Sequence, residues 1–231
     1  WEHLGWIARR GNPQALALPP GAASLGPLCI WERKLAPVFS EGNKDIVLER
    51  VFALIGVTDR HYVEIGTQSG EQCNTRYLRV RHGFDGVLID DNFQNQETNQ
   101  RRNRVTPDDV AGVLRGYGVA PMFDLLSLDT DGNEWLLWLR LVQESFLPRV
   151  VIIEFNLEMP FDQDVLVRYT EFPVHRLCLA SAQRLPQLAS GSLTALLTLG
   201  RAFGYHLIHM VAGGTTDLIF VRGDVLEEKG I

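Results

Sequence analysis

Acidic and amide side chains follow a short apolar run in the middle of this chain, and their types suit chemistry. Asp129, Asp131 and Asn133 come directly after residues 124–128, which read Asp-Leu-Leu-Ser-Leu. Such a run predicts a buried strand that ends at the carboxyl edge of a sheet, where ligands bind in open α/β folds. The carboxylates could bind a divalent cation, hold a polar substrate or act as a general base. A structural use, in which Asp131 or Asn133 caps the helix that starts at Glu134, is the alternative.

A second acidic end follows the most β-branched apolar run of the chain, residues 150–155. Glu154 and Asn156 lie at its end. If this strand and 124–128 are parallel neighbours, both acidic ends face the same crevice. A divalent cation is then one option for the oxygen ligands, but the sequence adds no support for it, and we predict no metal site.

Glycines and acids also mark the end of the first predicted strand. Glu64 ends that strand, and Gly66 and Gly70 bracket a turn into a helix. Glycine lets a backbone approach a ligand closely, and a helix N-terminus offers free N–H groups. Asp90 ends the next strand about twenty residues later, where an acid in a Rossmann-like fold accepts hydrogen bonds from a ribose. The combination predicts a nucleotide-type cofactor site, whereas each part alone is also typical of a tight turn or a polar loop.

Strands and amphipathic helices alternate along most of the chain and must position these residues. Helical patterns begin at Asp45, after Gly70, at Thr106-Pro107 and at Glu134. The pattern that begins at Glu134 is predicted to end at Pro148, and a further helical pattern covers 192–203. Strand patterns cover 61–65, 86–89, 124–128, 150–155, 206–211 and 217–222. This order predicts an α/β fold, a Rossmann-like and mostly parallel sheet with helices on both faces and a C-terminal antiparallel hairpin.

The composition excludes some classes of function. The formal net charge is −6, with 45% apolar and 22% charged residues. An acidic chain is unsuited to sequence-independent nucleic-acid binding, and no apolar run approaches the length of a membrane span. Cys29, Cys73 and Cys178 are far apart, which favours a reducing intracellular compartment. The sequence begins at Trp1, so a targeting signal and an organelle stay open alternatives.

Two segments break the regular pattern. Residues 1–41 are rich in Pro, Gly and Trp, and residues 157–189 are irregular. We therefore divide the chain into an N-terminal arm, 1–41, and an α/β domain, 42–231. Both irregular segments are candidate surfaces for protein partners, and packing of the arm on its own domain is the alternative.

Four segments together resemble class I S-adenosylmethionine-dependent methyltransferases, and more narrowly their FkbM-like branch. They read YVEIGTQSGEQCNTRYLRVRHGFDGVLID, FDLLSLDTDGNEWLLWLRL, PRVVIIEFN and SLTALLTLGRAFGYHLI. The resemblance implies S-adenosylmethionine as cofactor, with Glu64, Gly66 and Gly70 beside its methionine and ribose part and Asp90 on the ribose hydroxyls. The acceptor would meet the methyl donor beside Asp129 and Asp131, and a carboxylate would take its proton.

The implied activity is methyl transfer to an oxygen or nitrogen of a small-molecule, sugar or lipid-like acceptor. The chain departs from the family pattern between Asp90 and Thr106, where the stretch is too short for the usual helix and third strand. We therefore expect the third strand to be shortened or missing. The alternative function is a catalytically degenerate methyltransferase-like domain that serves as a structural subunit of a larger assembly, because fold does not establish activity.

Overall fold

The computed structural model describes residues 9–10, 38–166, 190–211 and 216–231. Most of residues 1–41 and of 157–189, and with them Cys29 and Cys178, lie outside these ranges. The strands are β1 (Arg9–Arg10), β2 (His61–Ile65), β3 (Asp85–Asp90), β4 (Gln100–Arg102), β5 (Leu125–Leu128), β6 (Val150–Glu154), β7 (Gln163–Asp164), β8 (Tyr205–Val211) and β9 (Asp217–Arg222). The helices are α1 (Lys44–Ile55), α2 (Arg76–His82), α3 (Val110–Gly116), α4 (Glu134–Gln143), α5 (Leu193–Ala202) and α6 (Gly223–Lys229).

Seven strands form one mixed sheet in the order β4-β3-β2-β5-β6-β9-β8. The neighbours from β4 to β6 are parallel, whereas β9 is antiparallel to both β6 and β8. This is the predicted Rossmann-like sheet with its C-terminal antiparallel hairpin. The chain proceeds outward from β2 through β3 to β4 and then returns to the other side of β2 with β5. The topological switch point therefore lies between β2 and β5.

Helices cover both faces of the sheet, as the near-continuous apolar strands predict. Buried residues of α1, α2 and α6 pack on one face around Val51, Ile152 and Ile219. Buried residues of α3, α4 and α5 pack on the other face around Trp138, whose ring lies within 5.5 Å of the rings of Tyr205 and Phe220. The two apolar layers hold the strand ends in place, and the strand ends carry the candidate site.

Several element boundaries differ from the sequence-based prediction. Helix α2 begins at Arg76 rather than directly after Gly70. The third strand is shortened but present, since β4 has three residues. Helix α3 begins at Val110 rather than at Thr106, because the Asp109 carboxylate accepts the Thr106 N–H and holds 106–109 as a turn. Helix α4 ends at Gln143, before Pro148, because Ser145 adopts a left-handed φ of 65°. Helix α6 has no counterpart in the prediction.

Candidate functional site

The carboxyl ends of β2, β5 and β6 and the amino end of the antiparallel strand β9 place four residues in one row. The register pairs Ile65 with Leu128 and Leu128 with Ile153, so the next residues, Gly66, Asp129 and Glu154, lie side by side. Glu154 in turn pairs with Asp217 on β9. The row therefore crosses the switch point, which is where open α/β sheets bind ligands.

Gly66 and Asp129 meet at the centre of this row. Gly66 has a φ of 89°, and a Cβ built on it would lie 1.6 Å from the backbone oxygen of Asp129. Hydrogen bonds hold the crossing on both sides, from Gly66 N–H to the Ile89 oxygen and from Asp129 N–H to the Ile65 oxygen. Only glycine fits here, so Gly66 has a structural role whatever ligand lies nearby.

A polar pocket opens beside this crossing, between the start of α1 and the loop that follows β2. Its empty space is about 470 Å³, part of it open to solvent. Glu64, Gly66 and Asp129 line it, together with polar side chains that include Glu41, Lys44, Gln68, Ser69 and Asn74. The cavity volume that the protein itself encloses is about 70 Å³, well below the about 300–1,000 Å³ of small-molecule sites, so a bound ligand would extend beyond this pocket.

Glu64 is held by the start of the following helical segment. One carboxylate oxygen accepts the Asn74 N–H at 2.8 Å, and the other accepts the N–H and the hydroxyl of Thr75. The side chain is buried, and this burial raises its pKa. Glu64 thus shapes the loop and lines the pocket at the same time.

Asp90 stands at the end of β3, as predicted, but its carboxylate already has protein partners. It accepts the N–H groups of Gln68, Asn92 and Phe93. A carboxylate can accept about four hydrogen bonds, so one position remains for a ribose hydroxyl. Asp90 does not line the pocket described above.

Gly70 closes the loop rather than lining the pocket. Its N–H donates to the Thr67 oxygen, and its Cα faces the side chain of Gln100 on β4. Gln100 also donates to the Thr67 hydroxyl and the Gln68 oxygen. The short third strand therefore supports the glycine loop from the side, a role that the sequence did not reveal.

Three carboxylates converge at the other end of the row. Oxygen atoms of Asp129, Asp131 and Glu154 lie within 4.8 Å of one another. Burial and the nearby carboxylates of Asp217 and Glu134 raise the pKa of Asp129 to about 7, although Lys44 opposes the shift. Burial and the charge of Asp129 raise the pKa of Glu154 to about 9. The structure thus brings together the two acidic strand ends that the sequence singled out.

Lys44 is a buried cation in this region, and sequence reasoning missed it. Its ammonium lies 2.9 Å from Asp217 Oδ2, and both side chains are almost fully buried. Burial alone would lower the pKa of Lys44, but the carboxylates of Asp217 and Asp129 outweigh it, so the pKa is raised. A lysine at the start of an apolar helix was the available signal, but only the fold brings it to Asp217.

Glu134 organises the loop after β5. Its Oε1 accepts the N–H groups of Thr130 and Gly132 and the Thr130 hydroxyl. In the alternative structural use, Asp131 or Asn133 caps this helix; Asn133 does occupy the N-cap position, but its side chain makes no capping hydrogen bond. Asp131, with a φ of 57°, instead joins the carboxylate cluster.

Comparisons with known proteins give matches only among solved structures. No protein-family model and no curated protein matches the sequence. The structure called TnmH is similar over 77% of this chain and 56% of its own, at 15% identity and a TM-score of 0.39. A SAM-dependent methyltransferase from Aquifex aeolicus is similar over 78% and 88%, at 11% identity and a TM-score of 0.37. Human N-acetylserotonin methyltransferase, solved in complex with SAM, is similar over 78% and 55%, at 14% identity and a TM-score of 0.37.

This chain spans little more than half the length of TnmH and of the human enzyme. Similarity at these identities and TM-scores does not establish the activity or the cofactor of this chain. Within the described ranges, none of the helices combines the length and apolar character that a membrane crossing requires.

Proposed function

We propose that this chain is an S-adenosylmethionine-dependent methyltransferase of the FkbM-like branch. Its acceptor would be an oxygen or nitrogen of a small-molecule, sugar or lipid-like compound. The observation that carries the proposal is the polar pocket at the switch point between β2 and β5. Ligand sites of open α/β sheets lie at this position.

The pocket suits the amino-acid end of such a cofactor. The Lys44 ammonium is a partner for a carboxylate, and the acidic side chains of Glu41 and Asp129 are partners for an ammonium group. Asp90 keeps one acceptor position for a ribose hydroxyl. S-adenosylmethionine, when bound, supplies a methyl group on a positively charged sulfur.

The residues of the chain would then align the reactants. We assign Glu64, Gly66, Gly70 and Asp90 to the cofactor side, where Gly66 and Gly70 shape the loop and Glu64 holds it. Alignment of two reactants in one site is a major source of rate acceleration.

We assign Asp129 and Asp131 to the acceptor side. Asp129 lines the pocket and also belongs to the carboxylate cluster, so it borders both halves of the site. A carboxylate in this position could take the proton of the acceptor, as a general base does.

Calorimetry with S-adenosylmethionine and its demethylated product tests the proposal. We expect micromolar binding of both by the wild-type chain. Ser69→Trp should abolish binding because Ser69 is exposed and lines the pocket, so a large ring would fill it without disturbing the core. Ser69→Ala is the matched control and should bind like wild type. Gly66→Arg is unsuitable, since any side chain at this position collides with Asp129.

The wild-type result decides the proposal. Absence of both binding heat and a thermal shift would overturn it and favour the structural-subunit alternative. Where binding is found, consumption of the methyl donor with a panel of small hydroxylated and amine compounds would identify the acceptor class.

A further inference from the structure

The centre of the glycine loop, residues 66–70, has an uncommon backbone conformation. Gln68 has a φ of 46°, in the left-handed region, although it carries a side chain. Gln68 and its neighbour Ser69 are exposed and line the polar pocket. Residues in such conformations cluster at ligand sites and persist only where the surrounding structure holds them. The loop that borders the pocket therefore needs supports that fix residue 68.

Two buried side chains hold the backbone of Gln68 from its two sides. The Gln68 N–H donates to Asp90 Oδ2 at 2.7 Å, and the Gln68 oxygen accepts a hydrogen bond from Gln100 Nε2 at 2.6 Å. Gln100 Nε2 also donates to the hydroxyl of Thr67 at 2.9 Å. Asp90 is 7% exposed and Gln100 is 2% exposed, so both supports are part of the packed structure. The amide group of Gln100 thus bonds two consecutive residues of the loop.

Backbone pairing fixes the position of Gln100. Its N–H and its oxygen both bond to Asn95 across the turn that precedes β4, and β4 pairs with β3, where Gln100 is opposite Leu88. A Cβ built on Gly70 would lie 3.2 Å from Gln100 Oε1, so the amide group of Gln100 packs against the loop. The shortened third strand therefore presents a rigid support to the glycine loop.

We infer that Gln100 is a positioning residue for the cofactor and acts through Thr67 and Gln68. The inference rests on the proposed function, in which the glycine loop borders the cofactor. Gln100 does not line the pocket, so its effect on binding passes through the conformation of the loop. Without its hydrogen bonds the loop adopts other conformations, and the affinity falls in proportion to the fraction that remains competent to bind. The short third strand, which departs from the methyltransferase pattern, then supports cofactor binding rather than preventing it.

Calorimetry with the demethylated product of S-adenosylmethionine tests the inference on the full chain. Gln100→Met keeps the length of the side chain and removes both donated hydrogen bonds. We expect it to bind at least about tenfold more weakly than wild type, which corresponds to a loop of which about a tenth remains competent to bind. Gln96→Met is the matched control, because Gln96 lies exposed in the turn before β4 and undergoes the same chemical change. It should bind like wild type.

Amide hydrogen exchange of the ligand-free chain reports on the loop without any cofactor. The N–H groups of Gln68 and Gly70 donate to Asp90 and to the Thr67 oxygen, so a loop that is held in place protects them. We expect both groups to exchange at least about tenfold faster in Gln100→Met than in wild type. A purely structural role of Gln100 would lower the melting temperature but leave the affinity of the folded chain for the cofactor product unchanged.

Equal affinity of wild type and Gln100→Met would overturn the inference, and so would weaker binding with unchanged exchange at Gln68 and Gly70. Gln100→Glu is the second variant if Gln100→Met does not fold, since it keeps the shape of the side chain but places an acceptor against the Gln68 oxygen; it should show both effects. Failure of wild type to bind is a different result, because it overturns the proposed function and with it the positioning of the cofactor. Binding by wild type with equal binding by the variant leaves the proposed function and removes only the role of Gln100.

Discussion

The substitution Gly66→Ala should lower the free energy of unfolding by more than the conformational cost of an alanine at a left-handed position, because the backbone of Asp129 lies against this residue. A Cβ at this position would lie 1.6 Å from the Asp129 oxygen and 2.5 Å from its carbonyl carbon. Both partners are backbone atoms, so no side-chain rotation relieves the contact. Strands β2 and β5 must separate at their carboxyl ends, beside the pocket.

Gly118→Ala provides the matched control for the conformational part of the cost. Gly118 has a φ of 76°, similar to that of Gly66, but a Cβ there meets nothing within 4 Å. A left-handed conformation costs an alanine about 1–2 kcal/mol. Gly118→Ala should therefore lower the free energy of unfolding by that amount and no more.

Gly66→Ala should cost about 4–7 kcal/mol. It carries the same conformational penalty, overpacking against a fixed backbone of about 1–3 kcal/mol, and the loss of hydrogen bonds worth about 1 kcal/mol each. The bonds at risk are Gly66 N–H to Ile89 and Asp129 N–H to Ile65. Domains of this kind have a total stability of about 5–15 kcal/mol, so the variant should be close to unfolding.

Urea denaturation followed by circular dichroism measures both variants against wild type. An unfolded Gly66→Ala beside a folded Gly118→Ala is the extreme form of the expected result. If the two variants lose the same stability within about 1 kcal/mol, Asp129 does not approach Gly66 and the geometry assigned to the site is wrong.

Two further predictions concern buried charges. Asp124 accepts hydrogen bonds from Thr58, Arg60 and Arg149; burial opposes ionisation, but these bonds outweigh it and lower the pKa of Asp124. Asp124→Asn should lower the free energy of unfolding by about 3–5 kcal/mol at pH 7, measured by urea denaturation, whereas Asp85→Asn at an exposed position should lower it little. The difference between the two variants should shrink as the pH falls below about 4. Equal losses of stability at pH 7 would contradict the buried ion pair of Asp124 with Arg149. Glu154→Gln should stabilise the chain at pH 8 by several kcal/mol, because wild type takes up a proton at Glu154 on folding and each pH unit above the ordinary pKa costs about 1.4 kcal/mol. Because the pKa of Glu154 is raised to about 9, wild type should lose stability as the pH rises from about 4 toward about 9, and Glu154→Gln should lack this part of the dependence of stability on pH. A Glu154→Gln variant that is less stable than wild type and shows the same dependence on pH would refute the charge cluster.

Local patterns in the sequence predicted the elements and the polar strand ends. Apolar residues at helical spacing marked α1, and Gly56 follows its last residue. The β-branched run near 150 became β6, and the acids after 124–128 and 150–155 did converge in one cluster. These features follow from chain periodicity and from the fact that parallel strands end at one edge, so neighbouring residues sufficed to predict them.

Tertiary structure decided which partners these side chains have. Lys44 reaches Asp217 from the opposite end of the chain, and Gln100 supports the glycine loop through contacts that no local pattern encodes. Gly66 must be glycine because the backbone of Asp129, from another strand, crosses it. The charge balance of the site depends on distances between strands and on burial. Sequence spacing therefore predicted where the acids lie along the chain, and only the packed sheet decided how close they lie to one another and to Lys44.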